Sequence, residues 1–394
     1  MDYDKILSQC VKEMKPSGIR KFFDLASTME GVISLGVGEP DFKTPYSIRR
    51  AGIESLEKGR TWYSANAGLM ELRQEIASYL SRRFGLSYDG EKEVLVTVGG
   101  SEAIDLCTRA VVNPGEEVLI PEPCFVAYEP IARLSGGIPV PIVTRAEDQF
   151  RLTPEALRAA ITPKTKLLIF PFPNNPTGAI MDRAALEGIA EVLRGTDIIV
   201  LSDEIYAELT YEGKHVSIAS IEGMRERTVV VNGFSKAYAM TGWRLGYAAA
   251  PRPILAQMTK VHQFAIMCAP TTSQYAAIEA MRNCDDEIGR MAVQFGMRRG
   301  LLVNTLNRLG LSCADPKGAF YVFPSIAVTG MTSEQFCEGL LNSQKVAVVP
   351  GNAFGQSGEG YVRISYSYSV EHLIEALRRI EAYLIELGVY TPEE

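Results

Sequence analysis

Two predicted strands of this sequence end in residues that could do chemistry together. The apolar run Ile198–Leu201 leads into Asp203, and the run Thr228–Val231 leads into Lys236. Alone, a carboxylate at a strand end often only caps the next turn, and a lysine there is usually a solvated surface residue. On neighbouring strand ends, however, an amine and an acid can reach opposite ends of one aromatic ring. The amine would form a Schiff base with an aldehyde and the acid would keep a ring nitrogen protonated, which are the two demands of a pyridoxal cofactor.

A second set of residues has the chemistry of a phosphate site. Gly100, Ser101 and Glu102 open a predicted helix, where free backbone N–H groups and the helix dipole favour an anion. Ser235 adds a hydroxyl, and Arg244 adds a charged fork that can bind phosphate through two hydrogen bonds. The sequence therefore predicts that a phosphate-bearing cofactor binds near Lys236.

Strands that alternate with helices must position these groups. The predicted strands are Val94–Val98, Val118–Ile120, Lys166–Phe170, Asp197–Leu201, Thr228–Val231 and Leu245–Ala249. Helical patterns between several of them cover Glu102–Val112, Val126–Leu134, Arg183–Leu193 and Pro253–Phe264. This alternation is typical of an α/β fold with a mainly parallel sheet between two layers of helices. Ligands bind at the carboxyl ends of such strands, where the polar residues named above occur.

The last third of the chain has a different pattern. A long helix (Asp285–Leu309), two strands (Ala319–Phe323 and Tyr361–Ser365) and a closing helix (Glu371–Leu387) are predicted there. We therefore expect a large cofactor-binding domain at residues 46–284 and a smaller α+β domain formed by residues 1–45 and 285–394.

Composition argues against several classes of protein. The net charge of −7, without a basic block, gives no support to binding of nucleic acid or of an anionic membrane surface. No apolar run approaches the roughly 18 to 20 residues of a membrane span, and the polar start resembles no secretory signal. The seven cysteines form no CxxC pair and the three histidines no HExxH motif. We therefore expect a cytoplasmic protein without a bound metal.

Separated motifs follow one another in a recognisable order. They are NNPTG (Asn174–Gly178), SDEIY (Ser202–Tyr206), SKAYAMTGWRLGY (Ser235–Tyr247) and YVRISY (Tyr361–Tyr366). In order and spacing they resemble the class I and II aminotransferases, the fold-type-I family of pyridoxal-phosphate enzymes, from SLGVGEPDF (Ser34–Phe42) to the C-terminal helix. The resemblance implies a seven-stranded, mainly parallel sheet. It also implies ping-pong transfer of the amino group of an L-amino acid to a 2-oxo acid, with 2-oxoglutarate as the expected acceptor.

The same resemblance implies roles at the cofactor ring. Lys236 would carry the cofactor and then shuttle the substrate proton, while Asp203 would pair with the pyridine nitrogen. Asn175 and Tyr206 would hydrogen-bond the phenolic oxygen of the ring, and Phe125 would stack on its face.

Further roles concern the substrate and a second subunit. Arg363 would bind the substrate α-carboxylate, assisted by Asn175 and the backbone at Gly38. Tyr63 matches a tyrosine that the family lends to the phosphate of the neighbouring subunit, which implies a homodimer with shared active sites.

One departure and one similarity bear on the branch of the family. Ser101 stands where bacterial aspartate aminotransferases carry a lysine that recognises a side-chain carboxylate, which argues against strict aspartate specificity. The segments KPSGIRKF (15–22) and YSANAGLMELR (Tyr63–Arg73) resemble the branch with aromatic and diaminopimelate-type aminotransferases.

Three alternative functions share part of this pattern. A C–S β-lyase or another enzyme of the same fold type would use the same Lys236, Asp203 and Arg363. A dinucleotide oxidoreductase would use Gly36-x-Gly38, but this motif lacks its third glycine. A non-enzymatic regulator built on this fold would usually carry an additional DNA-binding domain, for which no residues remain.

Overall fold

The computed structural model describes residues 1–14, 16, 18 and 29–392. Its strands are β1 Ile33–Ser34, β2 Val94–Thr97, β3 Glu117–Glu122, β4 Ile138–Val143, β5 Thr165–Phe170, β6 Ile199–Asp203, β7 Thr228–Gly233, β8 Gly246–Ala249, β9 Tyr321–Val322, β10 Val346–Ala347, β11 Val349–Pro350 and β12 Val362–Ser365. Its α-helices are α1 Tyr3–Ile6, α2 Gln9–Glu13, α3 Tyr46–Glu57, α4 Met70–Phe84, α5 Gly99–Val111, α6 Tyr128–Leu134, α7 Pro154–Ala160, α8 Arg183–Leu193, α9 Arg252–Ala265, α10 Thr271–Asn283, α11 Asp285–Arg308, α12 Ser333–Gln344 and α13 Val370–Glu386. Short 3-10 turns occur at Ala146–Asp148, Ile218–Ser220, Arg225–Arg227, Thr241–Trp243, Ala327–Thr329, Gly351–Phe354 and Gln356–Gly358.

A seven-stranded sheet forms the centre of the protein, in the order β2-β8-β7-β6-β5-β3-β4. Only β8 runs antiparallel to its neighbours β2 and β7, and the other pairs are parallel. The inner strands β6 and β7 are almost wholly buried, as expected where helices cover both faces of a sheet. The predicted α/β fold with a mainly parallel, seven-stranded sheet is confirmed.

The sheet has one strand that the sequence analysis did not predict, β4 (IPVPIV). Pro139 and Pro141 interrupt its pattern, and proline cannot donate a hydrogen bond to a neighbouring strand. In the structure β4 pairs only with β3 and forms the edge of the sheet, where Ile138 and Val143 remain exposed. An edge strand can tolerate prolines because one of its sides needs no partner.

A smaller antiparallel sheet, β11-β12-β9, lies in the last third of the chain. Beside it β1 pairs in parallel with β10, with Ile33 opposite Val346, so the segment after residue 29 joins the C-terminal part. Helices α11, α12 and α13 pack around this region through a shared core that includes Phe295, Phe336 and Leu377. This arrangement supports the division at residues 45 and 285, and the boundaries themselves stay a prediction.

The carboxyl ends of four strands meet at one edge of the large sheet. Strand β2 has the direction of β7, because each runs antiparallel to β8 between them, and β5 and β6 have that direction too. The turns after these strands therefore lie side by side, which brings the predicted site residues together. Within the described ranges, none of the helices combines the length and the apolar character that a bilayer crossing requires.

Candidate active site

A cavity of about 440 Å³ opens at this edge, between the large sheet and the smaller one. The predicted site residues that line it are Gly38, Gly100, Ser101, Phe125, Asn175, Asp203, Tyr206, Ser235, Lys236, Arg244 and Arg363. They are spread over more than 320 residues of sequence, so the tertiary fold alone brings them into one cleft.

Lys236 lies partly buried in the cavity, shortly after β7. Its Nζ donates a hydrogen bond to the Gly38 carbonyl oxygen and lies 5.6 Å from the centre of the Tyr206 ring. Burial and the nearby Arg363 lower the pKa of the Lys236 amine to about 8. The neutral form of this amine, which a nucleophile toward an aldehyde requires, is therefore more abundant near neutral pH than in an ordinary lysine.

Asp203 is buried at the end of β6. Its Oδ2 accepts a hydrogen bond from the Tyr128 hydroxyl at 2.7 Å, and its Oδ1 accepts one from the Ile205 amide at 3.2 Å. Burial raises the pKa of Asp203, and the bond from Tyr128 acts in the opposite direction. A protonated ring nitrogen beside this carboxylate would supply a positive charge that favours its ionised form.

The neighbouring carboxylate, Glu204, is turned away from the cavity. It accepts hydrogen bonds from Ser202 and Ser217 and pairs with His215 Nε2 at 2.9 Å. Successive side chains of an extended chain point to opposite faces, so only Asp203 faces the cleft.

Tyr128, the donor to Asp203, was not among the predicted site residues. It lies three residues after Phe125, and the two rings meet edge to face with centroids 5.6 Å apart. The spacing of an aromatic pair around a helix start was the available signal, but nothing in the sequence connects Tyr128 with Asp203.

Arg363 is 2% exposed and forms no ion pair with any described residue. Its Nη1 donates to Asn175 Oδ1 at 2.9 Å and its Nη2 donates to the Gly36 carbonyl, while its Nε is buried without a partner among the described residues. The guanidinium carbon lies over the rings of Tyr321 and Phe354, 4.4 and 4.8 Å from their centres. A buried cation without a counter-charge is costly, so this geometry suits the binding of an anion.

Tyr206 lies near Lys236, and Asn175 accepts a hydrogen bond from Arg363. The Tyr206 hydroxyl lies 2.8 Å from the hydroxyl of Tyr321, which was also not among the predicted site residues. Burial raises the pKa of Tyr206 well above its ordinary value, so this hydroxyl keeps its proton and can donate it.

The start of helix α5 and Arg244 form the other end of the cavity. Gly99 has a φ of +76°, and a β-carbon there would lie 2.5 Å from Arg244 Nη2, so only glycine allows this approach. Arg244 is anchored to the Thr241 carbonyl at 3.0 Å, and Ser235 lies in the same cavity. Helix N–H groups, a hydroxyl and a guanidinium together match the needs of a phosphate group.

Two predicted site residues do not line the cavity. The carboxylate of Glu102 turns back to accept from the Val98 amide and pairs with His262 Nδ1 at 2.6 Å, which leaves only its backbone near the phosphate end. Tyr63 is 76% exposed, in a segment held by the hydrogen bond from Thr271 to the Trp62 carbonyl. Any part that Tyr63 has in a site requires a second subunit.

These groups fit pyridoxal phosphate. The buried and unpartnered Nε of Arg363 leaves a donor for a substrate carboxylate, beyond the ring site of Asp203, Phe125 and Lys236. Arg244 and the start of α5 line the same cavity and offer the donors that a phosphate group would need.

The sequence of this chain is similar to those of known aminotransferases. The family model for "Aminotransferase class I and II" matches residues 30–380. Aromatic-amino-acid aminotransferase 2 of Thermococcus litoralis is 46% identical over 383 residues, with 96% of this chain and 98% of that relative covered. An aspartate aminotransferase of Pyrococcus abyssi is 48% identical over 379 residues, covering 95% and 97%.

The fold of this chain is also similar to that of a solved aminotransferase structure. The aspartate aminotransferase of Thermus thermophilus with maleate superposes with a TM-score of 0.92 at 38% identity, covering 96% of this chain and 99% of that one. Two segments resembled one branch of this family in the sequence. YSANAGLMELR (Tyr63–Arg73) lies among the described residues, whereas of KPSGIRKF (15–22) only Pro16 and Gly18 are described. The chain belongs to the class I and II aminotransferases, enzymes that use pyridoxal phosphate to transfer amino groups between amino acids and oxo acids.

Proposed function

We propose that this cavity holds pyridoxal phosphate on Lys236 and transfers the amino group of an L-amino acid to 2-oxoglutarate. The observation that carries the proposal is the buried, unpaired guanidinium of Arg363 in the same cavity as the Lys236 amine of lowered pKa. An α-carboxylate on Arg363 would place the α-carbon of the substrate within reach of Lys236.

The bound cofactor supplies an electron sink that makes the α-proton of the substrate acidic. Lys236 Nζ would take this proton from the α-carbon and deliver it to the C4′ carbon of the cofactor, since a pKa of about 8 leaves part of the amine neutral and able to accept a proton. Asp203 holds the ring nitrogen in its protonated form, and Phe125 packs on the ring. Asn175 and Tyr206 donate to the phenolic oxygen of the ring.

The remaining residues bind the phosphate group of the cofactor and the carboxylate of the substrate. Gly100, Ser101 and Glu102 contribute backbone N–H groups to the phosphate, together with the Ser235 hydroxyl and the Arg244 guanidinium. Arg363 binds the substrate carboxylate, with the backbone at Gly38 and the side chain of Asn175 beside it.

The substrate range is proposed to extend beyond aspartate. Ser101 at the cavity rim offers no charge for a side-chain carboxylate, and the cations among the described residues that line the cavity are Lys236, Arg244 and Arg363. These three already have roles in the proposal. The relatives named above act on aromatic amino acids in one case and on aspartate in another, as their names state.

Separate half-reactions test the proposed reaction. An L-amino acid alone should bleach the visible absorbance of the holoenzyme, and 2-oxoglutarate alone should restore it, because the amino group waits on the enzyme between the two substrates. Initial rates with both substrates varied should give parallel double-reciprocal lines. A β-lyase would instead split a sulfur amino acid, with one water, into a thiol, ammonia and a 2-oxo acid without needing 2-oxoglutarate, and this result would refute the transaminase assignment.

We also propose that the active enzyme is a homodimer in which Tyr63 reaches the phosphate site of the partner subunit. Tyr63 and its neighbour Trp62 are 76% and 61% exposed, and Phe264 is 88% exposed, which is unusual for large aromatic side chains in a monomer. The cytoplasmic location stays a prediction from the sequence.

Subunit mixing checks the shared site. The Tyr63→Phe variant should bind the cofactor more weakly, and a Lys236→Ala variant should be inactive. After the two are unfolded and refolded together, mixed dimers contain one site with both native residues, so activity at low cofactor concentration should exceed that of either variant alone. If mixing gives no gain while mixed dimers form, Tyr63 does not serve the partner site.

A further inference from the structure

Tyr321 contacts both Arg363 and Tyr206, and the sequence, which predicted a strand here, indicated neither contact. It lies on β9, opposite Ser365 of β12. Since Arg363 is two residues from Ser365, it points to the same face of the sheet and is a diagonal neighbour of Tyr321. The centre of the Tyr321 ring consequently lies 4.4 Å from the guanidinium carbon of Arg363.

The ring of Tyr321 contacts Arg363, whereas its hydroxyl contacts other residues. The hydroxyl is 2.8 Å from the hydroxyl of Tyr206, and both side chains are buried. A β-carbon on Gly38 would come within 2.6 Å of this hydroxyl, so the backbone that accepts a hydrogen bond from Lys236 packs directly against it. Tyr321 thus touches Arg363, Tyr206 and the Gly38 segment at once.

The number of available protons makes the direction of the Tyr206–Tyr321 hydrogen bond important. Each hydroxyl has one proton to donate and can also accept. If Tyr206 donates its proton to Tyr321, it has no proton left for a hydrogen bond to another acceptor. If Tyr321 donates instead, the Tyr206 proton is free to point into the cavity, toward an oxygen of the cofactor ring.

We propose that Tyr321 is a positioning residue which donates its proton to Tyr206, directs the Tyr206 proton to the phenolic oxygen of the cofactor, and holds the Arg363 guanidinium on its ring. This inference rests on the proposed function, because it needs a cofactor oxygen as acceptor. It assigns two separable roles to one side chain: the hydroxyl acts on Tyr206 and the ring acts on Arg363.

Another tyrosine of the same core provides a matched control. Tyr366 is also fully buried, and its hydroxyl donates to the Ala319 carbonyl at 3.1 Å, outside the cavity. Tyr366→Phe and Tyr321→Phe each remove one buried hydroxyl and keep the ring. A general effect of losing a buried hydrogen bond would therefore appear in both variants.

A pH titration of the holoenzyme without substrate tests the role of the hydroxyl. The visible absorbance change follows loss of the proton that the Schiff-base nitrogen shares with the phenolic oxygen, and a hydrogen bond donated to this oxygen favours that loss and lowers the midpoint pH. Tyr321→Phe frees Tyr206 from this orientation, so the midpoint of the visible absorbance change should rise by about 0.5 to 1 pH unit, the equivalent of one net hydrogen bond. The midpoint of Tyr366→Phe should equal that of the wild type.

The role of the ring is tested by the KM for the amino acid. Tyr321→Phe keeps the ring and should leave KM close to the wild-type value, while Tyr321→Leu removes the ring and should raise KM several-fold through a less ordered Arg363. An unchanged midpoint in Tyr321→Phe, or an equal rise in Tyr366→Phe, would overturn the proposal, and Tyr321→Phe decides this even if Tyr321→Leu does not fold. Failure of the proposed function would look different, because the wild type would then either show no visible absorbance or fail to be bleached by an amino acid and restored by 2-oxoglutarate.

Discussion

Lys236→Ala is expected to lose the visible absorbance of the bound cofactor and to reduce transamination on the order of 10⁴-fold or more, since one side chain supplies both the covalent link and the proton transfer. The fold should be retained. The Lys236 amine has one hydrogen bond, to Gly38, and it is held where burial disfavours its charge, so its removal costs little stability. Absorbance, turnover and the thermal unfolding transition should be measured on the same preparations.

Lys317→Ala is the matched control for this variant. Lys317 pairs with Glu212 and Asp315 outside the cavity, and its replacement should leave both colour and turnover unchanged. Borohydride treatment of the wild-type holoenzyme should attach the cofactor permanently to the peptide that contains Lys236. Labelling of a different lysine, or a protein that stays colourless with excess cofactor, would contradict the assignment.

The pKa of Lys236 adds an expected pH dependence. Only the neutral amine attacks an aldehyde, and the pKa is about 8, so capture of the cofactor by the cofactor-free protein should accelerate as the pH rises through 8 and then level off. A lysine of ordinary pKa would still be accelerating two pH units higher. Stopped-flow mixing across this range distinguishes the two cases.

Arg363→Lys is expected to raise the KM for the amino acid by roughly 10- to 100-fold, because an ammonium keeps the charge but loses the planar fork and one or more charge-assisted hydrogen bonds. The ammonium also cannot reproduce the contacts of the guanidinium with Asn175 and Gly36, or its place over the rings of Tyr321 and Phe354. The visible absorbance of the resting enzyme should remain, since the cofactor is held by other residues. Steady-state kinetics and cofactor titration check the two statements separately.

Arg227→Lys serves as the control for Arg363→Lys. Arg227 donates to the backbone carbonyls of Leu193 and Ile198, away from the cavity, so its replacement by lysine should not change KM. An unchanged KM in Arg363→Lys would show that the substrate carboxylate binds elsewhere. A loss of cofactor in this variant would instead point to a role of Arg363 at the ring.

Much of the large domain could be predicted from local patterns. Helix α8 begins and ends at the predicted residues Arg183 and Leu193, where Asp182 caps the first turn through the Ala185 amide. The inner strands appear as apolar runs because both of their faces are buried. Strands β1, β10 and β11 are only two residues long, too short for any periodicity, and they exist through pairing with distant segments.

The sequence by itself indicated the chemistry that we propose: Asp203 and Lys236 follow the ends of two strands, Arg363 lies within another strand, and the helix start at Gly100 suits a phosphate. Which side chains face the cavity was decided only by the tertiary structure. Of two adjacent carboxylates Asp203 enters the cleft while Glu204 turns to His215, and Glu102 pairs with His262, 160 residues away. Tyr128 and Tyr321 meet their partners across 75 and 115 residues. The physical reason is that local propensity sets the direction of a strand or helix, whereas contacts between distant side chains depend on how whole elements pack.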